Sequence, residues 1–203
     1  MAFSPCVEKR IYRRNLPHRF PPGFTIFLTW RLFGSIPNFA SSRINYGREL
    51  SDREKFLRME ECLERRTDGP RWLANPRIGE TVSSVLERGE AQFNRYKLHE
   101  YVVMPNHVHV LISPCAEVCE ITRTLKGVSA RLANEVLGMT GAPFWQDESY
   151  DHWCRDEEEF HRVRMYIARN PVRAKLVEKP EDWPWSGVSR RASMAQSRVS
   201  KDL

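Results

Sequence analysis

The stretch that most constrains this chain runs from Tyr101 to Pro114 and reads Y-V-V-M-P-N-H-V-H-V-L-I-S-P. Aliphatic and β-branched residues at this density, closed by Ser113-Pro114, predict a buried strand. Side chains two apart on a strand share a face, so His107 and His109 project together while Val108 and Val110 point to the core. Two imidazoles fixed side by side on a rigid strand make half of a divalent-metal site, short of one or two oxygen or nitrogen ligands. The same residues also suit an ordinary half-buried strand with two partly exposed histidines. The H-x-H spacing alone leaves both readings open.

A chain of 203 residues, 41% hydrophobic and 29% charged, has the length and make-up of one soluble globular domain with extensions. No apolar run approaches the roughly twenty residues of a membrane span, and the N-terminus lacks a signal-peptide core. A cytoplasmic protein with no membrane partner is expected. Cys6, Cys62, Cys115, Cys119 and Cys154 are scattered and odd in number, which argues against a disulfide framework. The formal charge of +6 is unevenly spread. Lys9, Arg10, Arg13, Arg14 and Arg19 stand against the single acid Glu8, with Tyr12 and Phe20 interleaved. Cations beside flat rings suit a nucleic-acid strand, and a solvated basic arm has the same composition.

The periodicities predict a first strand at Phe24 to Leu32 and a loop from Gly34 to Gly47. A helix follows from a Ser51-x-x-Glu54 capping box to about Arg66, with Phe56, Met59 and Leu63 on its apolar face. A second helix spans about Arg77 to Gln92. The strand Phe93 to Met104 turns at Pro105-Asn106 directly into the His107 strand, which predicts a hairpin. Val118 to Leu137 repeats apolar residues at three and four, with Arg123, Lys126 and Arg131 on its other side. Phe144 to Trp153 is extended, Asp156 to Arg169 is the last major helix, and Arg190 onward reads as a disordered tail. Three units result: a basic arm at 1–22, one domain at 23–186, and a tail at 187–203. Elements in this order predict an α+β sheet with helices on one face.

The last major helix carries a second cluster. Tyr166 and Asn170 are four apart and share a face, with Arg162 one turn earlier. Arg173 continues that face if the helix persists past Pro171, whereas Asn170 before a proline suits a helix end. A phenol flanked by guanidiniums can be a nucleophile held against a phosphate, or a packed core aromatic.

Y-V-V-M-P-N-H-V-H-V-L-I together with Y-I-A-R-N-P-V-R-A-K-L-V, from Tyr166, resembles the single-tyrosine HUH transposases of insertion sequences, and more narrowly the REP-associated tyrosine transposases. Arg13 to Pro37, Ser149 to Phe160 and Glu178 to Ser186 fit that subgroup as well. The likeness runs from about Tyr12 to Ser186. Arg48 to Gln92 shares only helical character, and Lys175 departs from a common glycine.

The resemblance implies a ferredoxin-like antiparallel sheet with the histidine pair on a central strand and the tyrosine helix across it. It implies Mg²⁺ or Mn²⁺ held by His107 and His109, with Asn170 in the place of the third ligand. Tyr166 would cut single-stranded DNA beside hairpin, REP-like repeats through a 5′-phosphotyrosine link, in a monomer or a homodimer associated with the nucleoid. Arg10, Arg13, Arg14, Arg123, Lys126, Arg131, Arg162 and Arg173 would contact DNA, and Trp30, Trp145 or Trp153 could stack on bases. Tyr150 is a rival nucleophile. Two other classes stand beside this one: a hairpin-binding module without chemistry, and a zinc protein using His107, His109, Cys115 and Cys119.

Overall fold

The computed structural model describes residues 23–36, 50–65 and 69–199. The basic arm, with Arg10, Arg13 and Arg14, lies outside the described residues. The elements in chain order are β1 (Ile26–Leu32), α1 (Asp52–Arg65), α2 (Pro76–Ala91), β2 (Tyr96–Val103), β3 (His107–Pro114), α3 (Val118–Leu137), β4 (Trp145–Trp153), α4 (Glu157–Arg173) and α5 (Gly187–Val199). Together they make an α+β fold of four antiparallel strands and, among the described residues, five helices. None of these helices is long and apolar enough to cross a membrane.

The sheet order is β2-β3-β1-β4, so β3 is central. The expected hairpin forms, with Val103 opposite Val108 and Leu98 opposite Ile112. β1 runs antiparallel to both β3 and β4, placing Thr29 between His109 and Tyr150. The two-residue alternation of β3 then divides the molecule into two layers.

Val108 and Val110 face a core closed by α2 and α3. On this side the Tyr101 hydroxyl donates to Glu87 and the Tyr96 hydroxyl to the Leu86 carbonyl, both in α2. Trp145 Nε1 donates to Ser129 of α3. His107 and His109 occupy the opposite face, and helices cover that face too. α1 reaches it through Glu60 and Phe56, and α4 through Tyr166. The expectation of helices on one face is therefore corrected to helices on both. The physical reason is that Phe27, Leu111 and both histidines, all buried, need apolar cover as much as the valines do.

α1 starts at the expected capping box, with the Ser51 amide bonded to Glu54 (2.9 Å) and the Glu54 amide to Ser51 Oγ (3.3 Å). Two helix ends differ from expectation. α4 continues through Pro171 to Arg173, because a proline in the last turn removes only one backbone bond there. Gly187–Val199 is helical where a disordered tail is expected. Arg190 pairs with Glu87 (2.9 Å) and Glu80 (2.6 Å), and Arg191 with the buried Glu100. Before it, Trp183 Nε1 donates to the Val103 carbonyl, and the Val103 amide to that of Trp185, closing the open edge of β2.

Close packing gives glycine-to-alanine changes opposite signs in two helices. A Cβ on Gly79 of α2 would lie 2.5 Å from the Trp185 ring, whereas nothing stands within 4 Å of one on Gly127 of α3. We expect Gly79→Ala to cost about 1–3 kcal/mol through overpacking. Gly127→Ala should add about 0.5–1 kcal/mol through helix propensity. Urea midpoints at an unchanged m-value measure both.

Candidate active site

His107 and His109 are 1% and 0% exposed, which removes the reading of two partly exposed histidines. Each ring is held from behind. Asn106 Nδ2 donates to the Leu63 carbonyl (2.9 Å), and this turns its Oδ1 toward His107 Nδ1 at 2.6 Å. An amide oxygen only accepts, so Nδ1 carries the proton and Nε2 keeps its lone pair. Thr29 Oγ1 lies 2.7 Å from His109 Nδ1 and holds the second ring in place. The two Nε2 atoms converge to 3.1 Å, and Glu60 Oε2 is 3.1 Å from that of His109.

Glu60, His107 and His109 each bring one ligand atom, all within 4.8 Å of one another. The set fits a divalent cation on a further observation. Glu60 Oε1 and both polar atoms of the Asn170 amide are buried with no hydrogen-bond partner. Unpaired buried polar atoms are costly, and a cation would satisfy the carboxylate oxygen outright. Imidazole and carboxylate together admit several first-row and alkaline-earth ions.

Tyr166 stands against this cluster. Its hydroxyl donates to Glu60 Oε2 at 2.5 Å and accepts from Arg173 Nη2 at 3.0 Å. The Arg173 guanidinium carbon lies 4.6 Å from the centre of the phenol ring. The ring packs edge-on to Phe27, Phe56 and His109. Burial and the Glu60 charge push the phenol pKa well up, against the guanidinium. Burial alone would raise Glu60 as well, but the two imidazoles and the bonds from His109 and Tyr166 hold its carboxyl at about 2. Burial pushes His107 down to about 3, against Glu60. The resting site thus holds a carboxylate, a neutral His107 and a protonated phenol.

The other expected residues fall elsewhere. Asn170 is fully buried one turn beyond Tyr166. Arg162 turns to Glu158 (3.1 Å) and Glu159 (3.9 Å) instead of the phenol. Arg123, Lys126 and Arg131 ride on α3, on the face of the sheet away from the histidines. Lys126 Nζ donates to the Gln146 and Asp147 carbonyls, and Arg131 pairs with Glu135. Trp30 and Trp145 are buried, and Trp153 is partly buried against Phe24 (5.0 Å). Tyr150 stacks on Phe56 at 4.4 Å. Cys115 and Cys119 are exposed and stand outside the metal-ligand group, which removes the zinc reading.

Sequence reasoning does not reach Glu60, Asn106, Thr29 or Glu64. Glu60 leaves one trace: it sits four after Phe56 and three before Leu63, a carboxylate on the apolar stripe of α1. Asn106 reads as a turn residue, and its role as a bracket for His107 shows only in three dimensions.

A family profile described as "Transposase IS200 like" matches residues 71–170. An uncharacterized protein of Haemophilus influenzae is 27% identical over 117 residues. That match covers 47% of this chain and 65% of the relative, so the chain spans just under two thirds of that relative's length. A solved structure of a REP-associated tyrosine transposase bound to a REP hairpin shares the fold, with a TM-score of 0.55 and 17% identity. It is matched over 88% of this chain and 84% of its own.

The buried imidazole predicts a pH dependence of stability. His107 titrates at about 3 in the folded protein against an ordinary 6.5, so between these values the unfolded chain binds a proton that the folded chain does not. Stability contributed at this site therefore falls as pH drops from 6.5, by up to about 1.4 kcal/mol per pH unit. In EDTA, the urea midpoint of His107→Gln should vary less between pH 6.5 and 5 than that of the unaltered protein. Equal slopes would mean that His107 is charged in the folded state.

Proposed function

Because the chain belongs to the IS200-like transposase family, we propose that it cuts and rejoins single-stranded DNA at hairpin repeats, with Tyr166 as nucleophile. The observation that carries this reading is the 2.5 Å hydrogen bond from Tyr166 to Glu60, the carboxylate grouped with His107 and His109. One acid thereby touches both the nucleophile and the metal-ligand cluster.

His107, His109 and Glu60 would hold Mg²⁺ or Mn²⁺, with the unpartnered Asn170 amide as a further donor from α4. The cation would supply charge neutralisation at a non-bridging oxygen of the scissile phosphate. The chain's own groups do the rest. Tyr166 Oη attacks phosphorus in line and its proton passes to Glu60 Oε2, the acceptor it already touches. The bond from phosphorus to the 3′-oxygen breaks, and the electron pair leaves on that oxygen, which takes a proton from water to become a 3′-hydroxyl. The product is a 5′-phosphotyrosine. Attack on it by a 3′-hydroxyl reverses the steps and rejoins strands without a high-energy cofactor. Arg173, already within 3.0 Å of the phenol oxygen, is placed to hold the phosphate as it arrives.

The crossovers around order β2-β3-β1-β4 support a ferredoxin-like reading of the sheet, with α1 and α4 added on the histidine face. The solved relative bound to a REP hairpin supports a substrate of that class. Residues 23–186 would form the catalytic domain and 1–22 a basic arm on the DNA. The cations of α3 would contact the strand only beyond the site, since they lie across the sheet from Tyr166.

A labelled single strand carrying a hairpin repeat, incubated with Mn²⁺ and run under denaturing conditions, tests the reading. The protein should form a covalent adduct that EDTA, Tyr166→Phe and His107→Ala each abolish. Glu60→Gln should slow it by about 10²–10⁴-fold, as loss of a positioned base does. An adduct that survives Tyr166→Phe would move the nucleophile elsewhere, with Tyr150 next. Tight binding with no adduct on any hairpin would favour a binding module.

A further inference from the structure

The metal-ligand group uses only one of two carboxylates that α1 presents to Tyr166. Glu64 lies one turn beyond Glu60, outside that group, and accepts a hydrogen bond from Arg173 Nη2. The same nitrogen sits 3.0 Å from Tyr166 Oη and 3.6 Å from Glu60 Oε2. The phenol oxygen is thus closed on both sides: it donates to Glu60 and accepts from Arg173, and Glu64 pins the guanidinium there. Glu64 and Arg173 are 26% and 43% exposed, so a strand arriving from solvent can reach both.

The charges make the pinning consequential. Glu60 and Glu64 both stand within ion-pair reach of the one Arg173 guanidinium, so two carboxylates share a single cation over the phenol. A carboxylate and a phosphate recognise a guanidinium through the same planar fork, so both cannot hold its inner edge together. We infer that Glu64 holds Arg173 in a resting position over Tyr166 and that a DNA phosphate takes the guanidinium from Glu64 on binding. Glu64 is a positioning residue: it acts through Arg173, keeps the nucleophile covered while no strand is present, and weakens DNA engagement until that exchange occurs. The inference rests on the DNA reading of the site.

Fluorescence anisotropy with a labelled single-stranded oligothymidylate, in EDTA at low salt, tests it without depending on turnover. Glu64→Gln should bind about tenfold more tightly than the unaltered chain, the scale of one unpaired charge at a half-wet site. Glu61→Gln removes the same charge three residues away, from an exposed acid that pairs with Arg65, and should change binding less than about twofold. In an Arg173→Gln background the gain from Glu64→Gln should shrink to under about twofold, since nothing is left to compete for. An unchanged affinity in Glu64→Gln would overturn the inference. So would an equal gain with and without Arg173, which would make Glu64 a plain repeller of phosphate. No binding by any form, with or without Mg²⁺, would overturn the DNA reading itself.

Discussion

His107 and His109 bring their Nε2 atoms to 3.1 Å with both rings buried. Two lone pairs at that distance repel, so a proton or a cation must lie between them, and the surrounding residues are arranged to meet this demand. Asn106 and Thr29 hold the far nitrogens so that neither ring can turn away. Glu60 adds a negative charge on the third side. A buried carboxylate with one oxygen unpartnered is tolerable only with a compensating positive charge close by. The rigid hairpin and α1 make the cluster possible, and the cluster in turn explains why α1 must cover the histidine face.

The central strand was legible because its alternation is local. Val108 and Val110 face one layer and the histidines the other, as the two-residue period requires. The hairpin, the capping box at Ser51 and the amphipathic α3 were readable for the same reason, since each is a pattern within a few residues. What stayed hidden depends on contacts between distant parts of the chain. Glu60 reaches His109 from a helix before the hairpin, and only its place on an apolar stripe betrays it. α5 is rich in serine and arginine and reads as a tail. Its order comes from Glu80, Glu87 and Glu100 on two other elements, which no local window contains. α4 runs on past Pro171, and its final turn is held by a tertiary contact, Arg173 to Glu64 of α1.

Tyr166, the proposed nucleophile, raises a sharper point about charge. A phenol beside a buried carboxylate is a worse acid than a free one, and the pKa of Tyr166 is pushed up accordingly. Glu60, held at about 2, is a weak acceptor for its proton while the imidazoles stabilise its charge. As it rests, the site therefore stabilises the protonated phenol, and attack on phosphorus needs a change in the balance. The chain holds two means for that change at the phenol oxygen. Glu60 Oε1 is a free ligand atom, so a cation there would draw electron density from the carboxylate and lessen its hold on the phenol. Arg173 is already bonded to the oxygen that would become negative in the proposed attack, and its guanidinium lies over the phenol ring. A nucleophile kept quiet by the acid that also serves the metal-ligand cluster would be competent only when both metal and substrate are present. In the proposed reaction, that coupling keeps the phenolate from forming at the wrong place.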